Sequence, residues 1–191
     1  MLRITVWGAA VWIMSVCVAS AQLQTFMAEG NLKPSQDLGC VGAEAAQPDI
    51  TAADFMLASQ NCLNELNFDF AVESFILMQV FGVFDAQRVA DISAHQGVAV
   101  MGQTIAQSLD ASKSRAFEAA VQQFGGEGSK RHTKLCGRLQ DIGPPTYHPD
   151  YMIQHGQEYF LYPDDDPIVE NFDPDASWAS VLTNFLKCSV G

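Results

Sequence analysis

The stretch from Phe70 to Phe84 reads FAVESFILMQVFGVF. Its polar residues, chiefly Glu73 and Gln79, are too few to give a helix a solvated face. The same residues interrupt the stretch, and it is too short to span a membrane. A helix that is apolar on most sides is stable only when other elements cover it. The stretch therefore predicts a central buried helix around which the rest of the chain packs.

Helical patterns lie on both sides of this stretch. Thr51 and Asp54 have the spacing of a capping box, which predicts a helix from about 52 to 66. Apolar residues recur at helical spacing in two later segments, namely Val98, Met101, Ile105 and Leu109, and then Phe117, Ala120, Val121 and Phe124. A basic helix is predicted from about 129 to 141, ended by a Gly-Pro-Pro sequence.

The last predicted helix has the clearest signals. Asp173 can cap it, Pro174 suits its first position, and an apolar stripe from Trp178 to Phe185 follows. No alternation of apolar and polar residues is long enough to predict a strand. We therefore expect an all-α fold, a single helical domain of about six helices over residues 51–191. An irregular arm without a sustained period is expected over 22–50.

The first 21 residues have the layout of a secretory signal peptide. A positive start with Arg3 precedes an uncharged run of 15 residues and the small residues Ala19-Ser20-Ala21. The run is shorter than the roughly 20 residues that span a bilayer. We expect cleavage after Ala21 and a periplasmic or secreted protein, with an uncleaved anchor as the alternative. No asparagine begins an N-x-Ser/Thr acceptor, which favours a bacterial protein.

Four cysteines remain after the predicted cleavage: Cys40, Cys62, Cys136 and Cys188. An even number of cysteines in an exported chain indicates disulfides. Three pairings are possible, and the shortest loops favour Cys40–Cys62 and Cys136–Cys188. Free buried thiols are the alternative. A zinc site is less favoured, because no two cysteines lie within a few residues of each other.

The chain is acidic, with a formal net charge of −12. After the predicted cleavage nine Lys and Arg face 22 Asp and Glu, hence −13 for the side chains alone. This sign disfavours nucleic acid and anionic lipid as partners and suits a basic protein, although solubility alone also explains it. Segment 113–138 holds six basic residues and two acidic ones, whereas segment 139–175 holds nine acids and no Lys or Arg. The two segments either contact each other or form separate solvated faces.

Residues 147–162 contain all four tyrosines and two of the four histidines. Tyrosine combines an apolar ring with a hydrogen-bonding hydroxyl and is common at recognition surfaces. If residues 149–159 form a helix, His155 and Tyr159 share a face. The candidate binding residues are therefore Tyr147, Tyr151, His155, Tyr159 and Tyr162. The alternative is a packed connector whose rings cover the core.

Catalytic and metal-binding motifs are missing from the sequence. It has no Gly-x-Ser-x-Gly elbow, Walker loop, Gly-x-Gly-x-x-Gly or His-Glu-x-x-His motif. Six carboxylates between Asp164 and Asp175 suggest a calcium loop, but the calcium-loop pattern is not met, and a solvated acidic loop is favoured. We therefore assign no catalytic residue, metal or cofactor.

These observations favour a non-enzymatic protein that binds another macromolecule. One concrete form is an inhibitor or immunity-type protein of the bacterial envelope whose acidic face meets a basic partner. The alternative is a small envelope hydrolase that uses His155 with a carboxylate from Asp164–Asp166.

Overall fold

The computed structural model describes residues 27–189 of the protein, and the regular structure of this part is helical. Its eight α-helices are α1 (Ala52–Asn64), α2 (Phe68–Arg88), α3 (Gly97–Gln107), α4 (Ala111–Phe124), α5 (Lys130–Ile142), α6 (Asp150–Ile153), α7 (Glu158–Leu161) and α8 (Pro174–Ser180). Two 3-10 turns, Ala43–Ala45 and Ile92–Gln96, and a π-helical turn, Val181–Phe185, complete it. The predicted all-α fold is thus confirmed. The predicted signal peptide lies outside the described residues.

Helix α2 is the centre of the molecule, as the sequence predicted. Within residues 70–84 only Phe70 is exposed. Phe81 packs edge-to-face on Phe55 of α1 and on Trp178 of α8, with ring centroids 5.2 and 5.5 Å apart. Phe84 makes a similar contact with Trp178 at 5.6 Å. Edge-to-face pairs add to the free energy gained by burial, so these rings join the first, second and last helices.

The arm before α1 is held against the body by α1 itself. Thr51 and Asp54 form the predicted capping box in both directions. Asp54 Oδ1 also accepts the backbone amides of Ser35 and Gln36, at 2.6 and 3.0 Å. A carboxylate at a helix start that accepts several N–H groups stabilises both segments. Within residues 27–50 the arm contains one 3-10 turn, Ala43–Ala45, and these hydrogen bonds hold it to α1.

Both predicted disulfides are present. Cys40–Cys62 joins the arm to α1, and Cys136–Cys188 joins α5 to the chain beyond the π-helical turn. Disulfides of this kind are typical of oxidising compartments. None of the described helices is both long and apolar enough to cross a membrane.

The basic helix α5 pairs with α2 and with the arm. Arg131 contacts Asp69 and Glu73 at 2.7 and 2.9 Å, and Lys134 forms an ion pair with Glu44. Across residues 27–189, no Lys or Arg forms an ion pair with an acid of segment 139–175. The basic and acidic segments therefore do not neutralise each other.

The disulfides should stabilise the fold unequally. Their loops span 52 and 22 residues, and a longer loop regains more entropy when the crosslink is lost. Replacing Cys136 and Cys188 together by alanine should lower the free energy of unfolding by roughly 4 kcal/mol, and the Cys40/Cys62 pair by roughly 3 kcal/mol. Chemical denaturation measures both values. Alkylation of Cys40, Cys62, Cys136 or Cys188 in the unreduced protein, located by peptide mass, would contradict the two-disulfide structure.

Candidate functional site

The tyrosine-rich connector forms two short helices, α6 and α7, with a turn between them. Gly156 lies in this turn, where a Cβ atom would stand 2.1 Å from Asp91 Oδ2. No side chain fits so close an approach, so the turn requires glycine. Residues 149–159 are therefore not one continuous helix, and His155 and Tyr159 do not share a helical face. The five candidate binding residues fall into three separate environments.

The first environment is the buried carboxylate of Asp85 near the end of α2. The hydroxyls of Tyr147 and Tyr151 both donate to Asp85 Oδ2, at 2.7 and 2.5 Å. Arg88 Nε donates to Oδ1 at 2.9 Å, and Nη2 lies 2.7 Å from the same oxygen without hydrogen-bond alignment. Complete burial raises the pKa of Asp85, while Arg88 and the two hydroxyls act in the opposite direction.

Arg88 ties this carboxylate to the connector. Its guanidinium lies over the rings of Phe84 and Tyr147, 5.1 and 4.8 Å from their centroids, and Nη1 donates to the Tyr147 carbonyl at 2.7 Å. Burial and the neighbouring Asp85 raise the pKa of both Tyr147 and Tyr151 well above 10.0, so both remain hydrogen-bond donors. These two hydroxyls hold the connector against α2.

The second environment is that of His155, which is half-buried. Its Nδ1 lies 2.8 Å from Asn31 Oδ1 in a hydrogen bond to the arm, and its ring packs near Gly97. Burial lowers the pKa of His155 below 6.5, although Asp91 acts in the opposite direction. In the part of the chain that the structure describes, no hydrogen bond joins His155 to Asp164–Asp166.

The third environment is a cleft of about 440 Å³ lined by Tyr159 and Tyr162. Both tyrosines are exposed. The wall also includes Val89, Ile153 and prolines. Its ionisable residues, apart from the tyrosines, are Asp91, His148, Asp150, Glu158, Asp165 and Asp166. We call this cavity the acidic cleft.

Two backbone hydrogen bonds position one wall of the acidic cleft. Ala90 N donates to the Pro167 carbonyl, and Val169 N donates to the Arg88 carbonyl, each at 2.9 Å. This isolated antiparallel bridge holds the acidic loop 162–167 against the end of α2. Asp91 lies shortly after the end of α2. The segment that contains it therefore meets the acidic loop 162–167, far away in sequence, in one wall of the cleft.

Asp91 brings a buried charge to the acidic cleft. It is 8% exposed, and its two oxygens accept the backbone amides of Ser93 and Glu158, each at 2.8 Å. Burial by itself would raise the pKa of Asp91, but the hydrogen bonds with Ser93, Glu158 and Ala94 hold it below 3.8. Asp91 is therefore ionised at neutral pH.

The acidic cleft lacks a strong cation of its own. No Lys or Arg among residues 27–189 pairs with any of its carboxylates, and no Lys or Arg lines it. His148 Nδ1 lies 2.8 Å from Asp150 Oδ1. The cleft therefore combines aromatic faces with negative charge that no Lys or Arg of residues 27–189 neutralises.

A possible metal-ligand group lies elsewhere, at His132, Cys136 and Cys188. The two sulfurs are bonded to each other and offer no thiolate. His132 Nδ1 lies 3.2 Å from the amide of Gly128, and Nε2 lies 2.7 Å from the Leu186 carbonyl. Both ring nitrogens thus have protein partners, and the arrangement is a packed core. No other group of three or more ligand-type side chains within residues 27–189 is close enough to share a metal ion.

Sequence reasoning named two residues of the acidic cleft as binding residues and missed most of its acids. Asp165 and Asp166 were considered only as catalytic carboxylates of a hydrolase or as calcium ligands. Asp91, Asp150 and Glu158 were not predicted as site residues. Segment 139–175 contains no Lys or Arg, and this absence could have indicated that its acids, including Asp150 and Glu158, form an acidic surface. Nothing local marks Asp91 as part of the cleft, because its place there depends on the hydrogen bond with Glu158, 67 residues further along the chain.

The two tyrosines bonded to Asp85 and the two exposed tyrosines should respond differently to loss of the hydroxyl. Tyr147→Phe and Tyr151→Phe each remove a donor from a buried carboxylate and should lower the free energy of unfolding by about 1–3 kcal/mol. Tyr159→Phe and Tyr162→Phe are the matched controls and should stay within about 0.5 kcal/mol. Chemical denaturation of the four variants measures this. Equal losses at all four positions would contradict the assignment.

His155 should titrate below its ordinary value and make the fold sensitive to acid. Because its folded pKa lies below the unfolded 6.5, its stabilising contribution is present above 6.5 and is lost as the pH falls through the folded pKa. An NMR titration of the imidazole should give a midpoint below 6.5. His155→Gln should weaken the fall in unfolding free energy over the same range. A midpoint at or above 6.5 would contradict burial as the cause.

Comparison with known proteins reveals no relative of the chain. No protein-family model matches it, and neither a curated protein nor a solved structure matches it at a significant level. Its function must therefore be argued from the residues of the acidic cleft.

Proposed function

We propose that the protein is an exported binding protein that holds a basic macromolecule at the acidic cleft. An inhibitor or immunity-type protein of the bacterial envelope is the concrete form of this proposal. Its main support is one observation: exposed Tyr159 and Tyr162 share a concave surface with five carboxylates and no Lys or Arg. Export, proposed from residues 1–21, accords with the two disulfides.

The aromatic part of this surface supports a protein partner. Consecutive residues of α7, Tyr159, Phe160 and Leu161, are 42, 41 and 63% exposed, and Tyr162 follows at 57%. Adjacent exposed apolar side chains with a polar rim are typical of interaction sites. Tyrosine and phenylalanine are also enriched in interface cores.

The charge supports a basic partner. Complementary potentials accelerate encounter and suppress wrong partners, so a negative cleft selects positive surfaces. The exposed acids Glu158, Asp165 and Asp166 lie next to the aromatic side chains of α7. Burial of the aromatic rings would supply affinity for the partner. The carboxylates would increase the rate of association and the selectivity for basic partners.

The hydrolase alternative has weaker support. His155 makes its hydrogen bond with Asn31, and the histidine that lines the acidic cleft is His148. General acid–base catalysis needs the donor and acceptor within about 3 Å of each other or joined by one water. The hydrolase therefore remains a hypothesis, because the described hydrogen bond of His155 is not with a carboxylate of Asp164–Asp166.

Site-specific photo-crosslinking in the producing cells tests the proposed function. A benzophenone amino acid at position 159 should capture a basic protein. The same group at Phe185, which is also 42% exposed but lies in a groove lined by α2 and α4 residues, is the matched control. Without irradiation, pull-down of the same partner should weaken strongly in about 1 M salt, where the screening length falls to about 3 Å. Equal capture at 185, or salt-insensitive binding, would contradict the proposal.

A further inference from the structure

The acidic cleft is a cavity with a size suited to one side chain or one small ligand. Its volume of about 440 Å³ falls in the range of about 300–1,000 Å³ typical of ligand sites. Val89 and Ile153 contribute an apolar surface, and Tyr159 and Tyr162 add two aromatic rings. A ligand that fills it needs an apolar body as well as a charge.

The charge that the cavity lacks is positive. Asp91 is ionised and nearly buried, and only N–H and O–H groups stabilise it. These hydrogen bonds stabilise the carboxylate but leave its charge in place, so a cation entering the cleft would still be attracted to it. Glu158, Asp165 and Asp166 are exposed and add to the attraction.

The arrangement of the carboxylates favours an organic cation over a metal ion. Calcium requires several oxygen ligands at about 2.3–2.6 Å from one point. Within residues 27–189, no three carboxylates of the cleft approach one another closely enough to share an ion. They are distributed around an apolar wall instead, which suits a cation carried on a hydrocarbon stem.

The tyrosines suit the same ligand. A cation is attracted to the face of an aromatic ring, and the methylene stem of lysine or arginine packs on apolar surface while its head stays polar. Tyr159 packs edge-to-face with Phe160 at 5.1 Å, a contact that orients its ring.

We infer that the acidic cleft receives the cationic side chain of a lysine or arginine from the partner. The inference rests on the proposed function for the source of the side chain. The ammonium or guanidinium group faces Asp91 and the exposed carboxylates, and its stem lies against Tyr159 and Tyr162. A free diamine presents the same chemistry from another source, and the experiment separates the two.

The direct test is NMR titration of the full chain with small probes at millimolar concentration. Nα-acetyl-lysine methylamide should shift the methyl signals of Val89 and Ile153 and leave those of Val72 and Ile76, in the apolar groove, unchanged. The arginine analogue should act in the same way. Nα-acetyl-norleucine methylamide, which lacks the charge, should bind at least tenfold more weakly. Cadaverine provides the free-diamine arm.

Matched charge variants show whether the cavity or the overall field binds the probe. Glu158→Gln with Asp165→Asn removes two charges that line the cleft and should weaken lysine binding roughly tenfold. Glu170→Gln with Asp164→Asn removes two charges that are also exposed but lie outside the lining, and should change binding by less than about twofold.

Four outcomes would overturn the inference. They are equal binding of the norleucine probe, equal weakening by both double variants, no shift with any cationic probe, and cadaverine binding tighter than the lysine probe. Failure of the proposed function has a different signature. Lysine-probe binding without a crosslinked partner would remove the macromolecular function, whereas a partner crosslinked at position 159 without probe binding would remove only the side-chain site.

Discussion

The buried pair of Asp85 and Arg88 is the interaction on which the arrangement of the connector depends. An ion pair on a central helix needs additional hydrogen bonds to offset its desolvation. Here the hydroxyls of Tyr147 and Tyr151 and the carbonyl of Tyr147 supply them. Since these partners lie about 60 residues further along the chain, satisfying one buried carboxylate places the whole segment that follows.

The acidic cleft is a consequence of that placement. With Tyr151 held at Asp85, α6 lies over the end of α2, and the turn at Gly156 brings α7 to Asp91. The amide of Glu158 then binds the carboxylate of Asp91, and the bridge between Val89 and Ile168 fixes the acidic loop on the other side. The walls of the cleft are therefore held by buried hydrogen bonds, while its tyrosine rings and most of its carboxylates remain available.

Local patterns predicted the helices well, because capping and apolar periodicity act over a few residues. The box at Thr51–Asp54, the cap at Asp173 and the buried stretch 70–84 all lie where the sequence indicated. The site was harder to predict. The sequence does not distinguish its four tyrosines, but in the structure two of them donate hydrogen bonds to Asp85 and the other two are exposed. That division depends on Asp85, which reads in the sequence as an ordinary polar residue at the end of an apolar run. No local rule connects it with Tyr147.

The distribution of charge separates acids that pair with basic residues from acids that do not. The basic residues of α5 pair with α2 and the arm. The exposed Lys134–Glu44 pair contributes little stability, whereas the pair of Arg131 and Glu73 is half-buried. Their effect is to leave the acids of segment 139–175 unneutralised. Solubility would be served equally by acids spread over the whole surface. Five carboxylates around two tyrosines in one cavity are not needed for solubility, and Asp91 is nearly buried, where a charge adds little to hydration. The proposed ligand of opposite charge would account for this arrangement, whereas solubility alone does not require it.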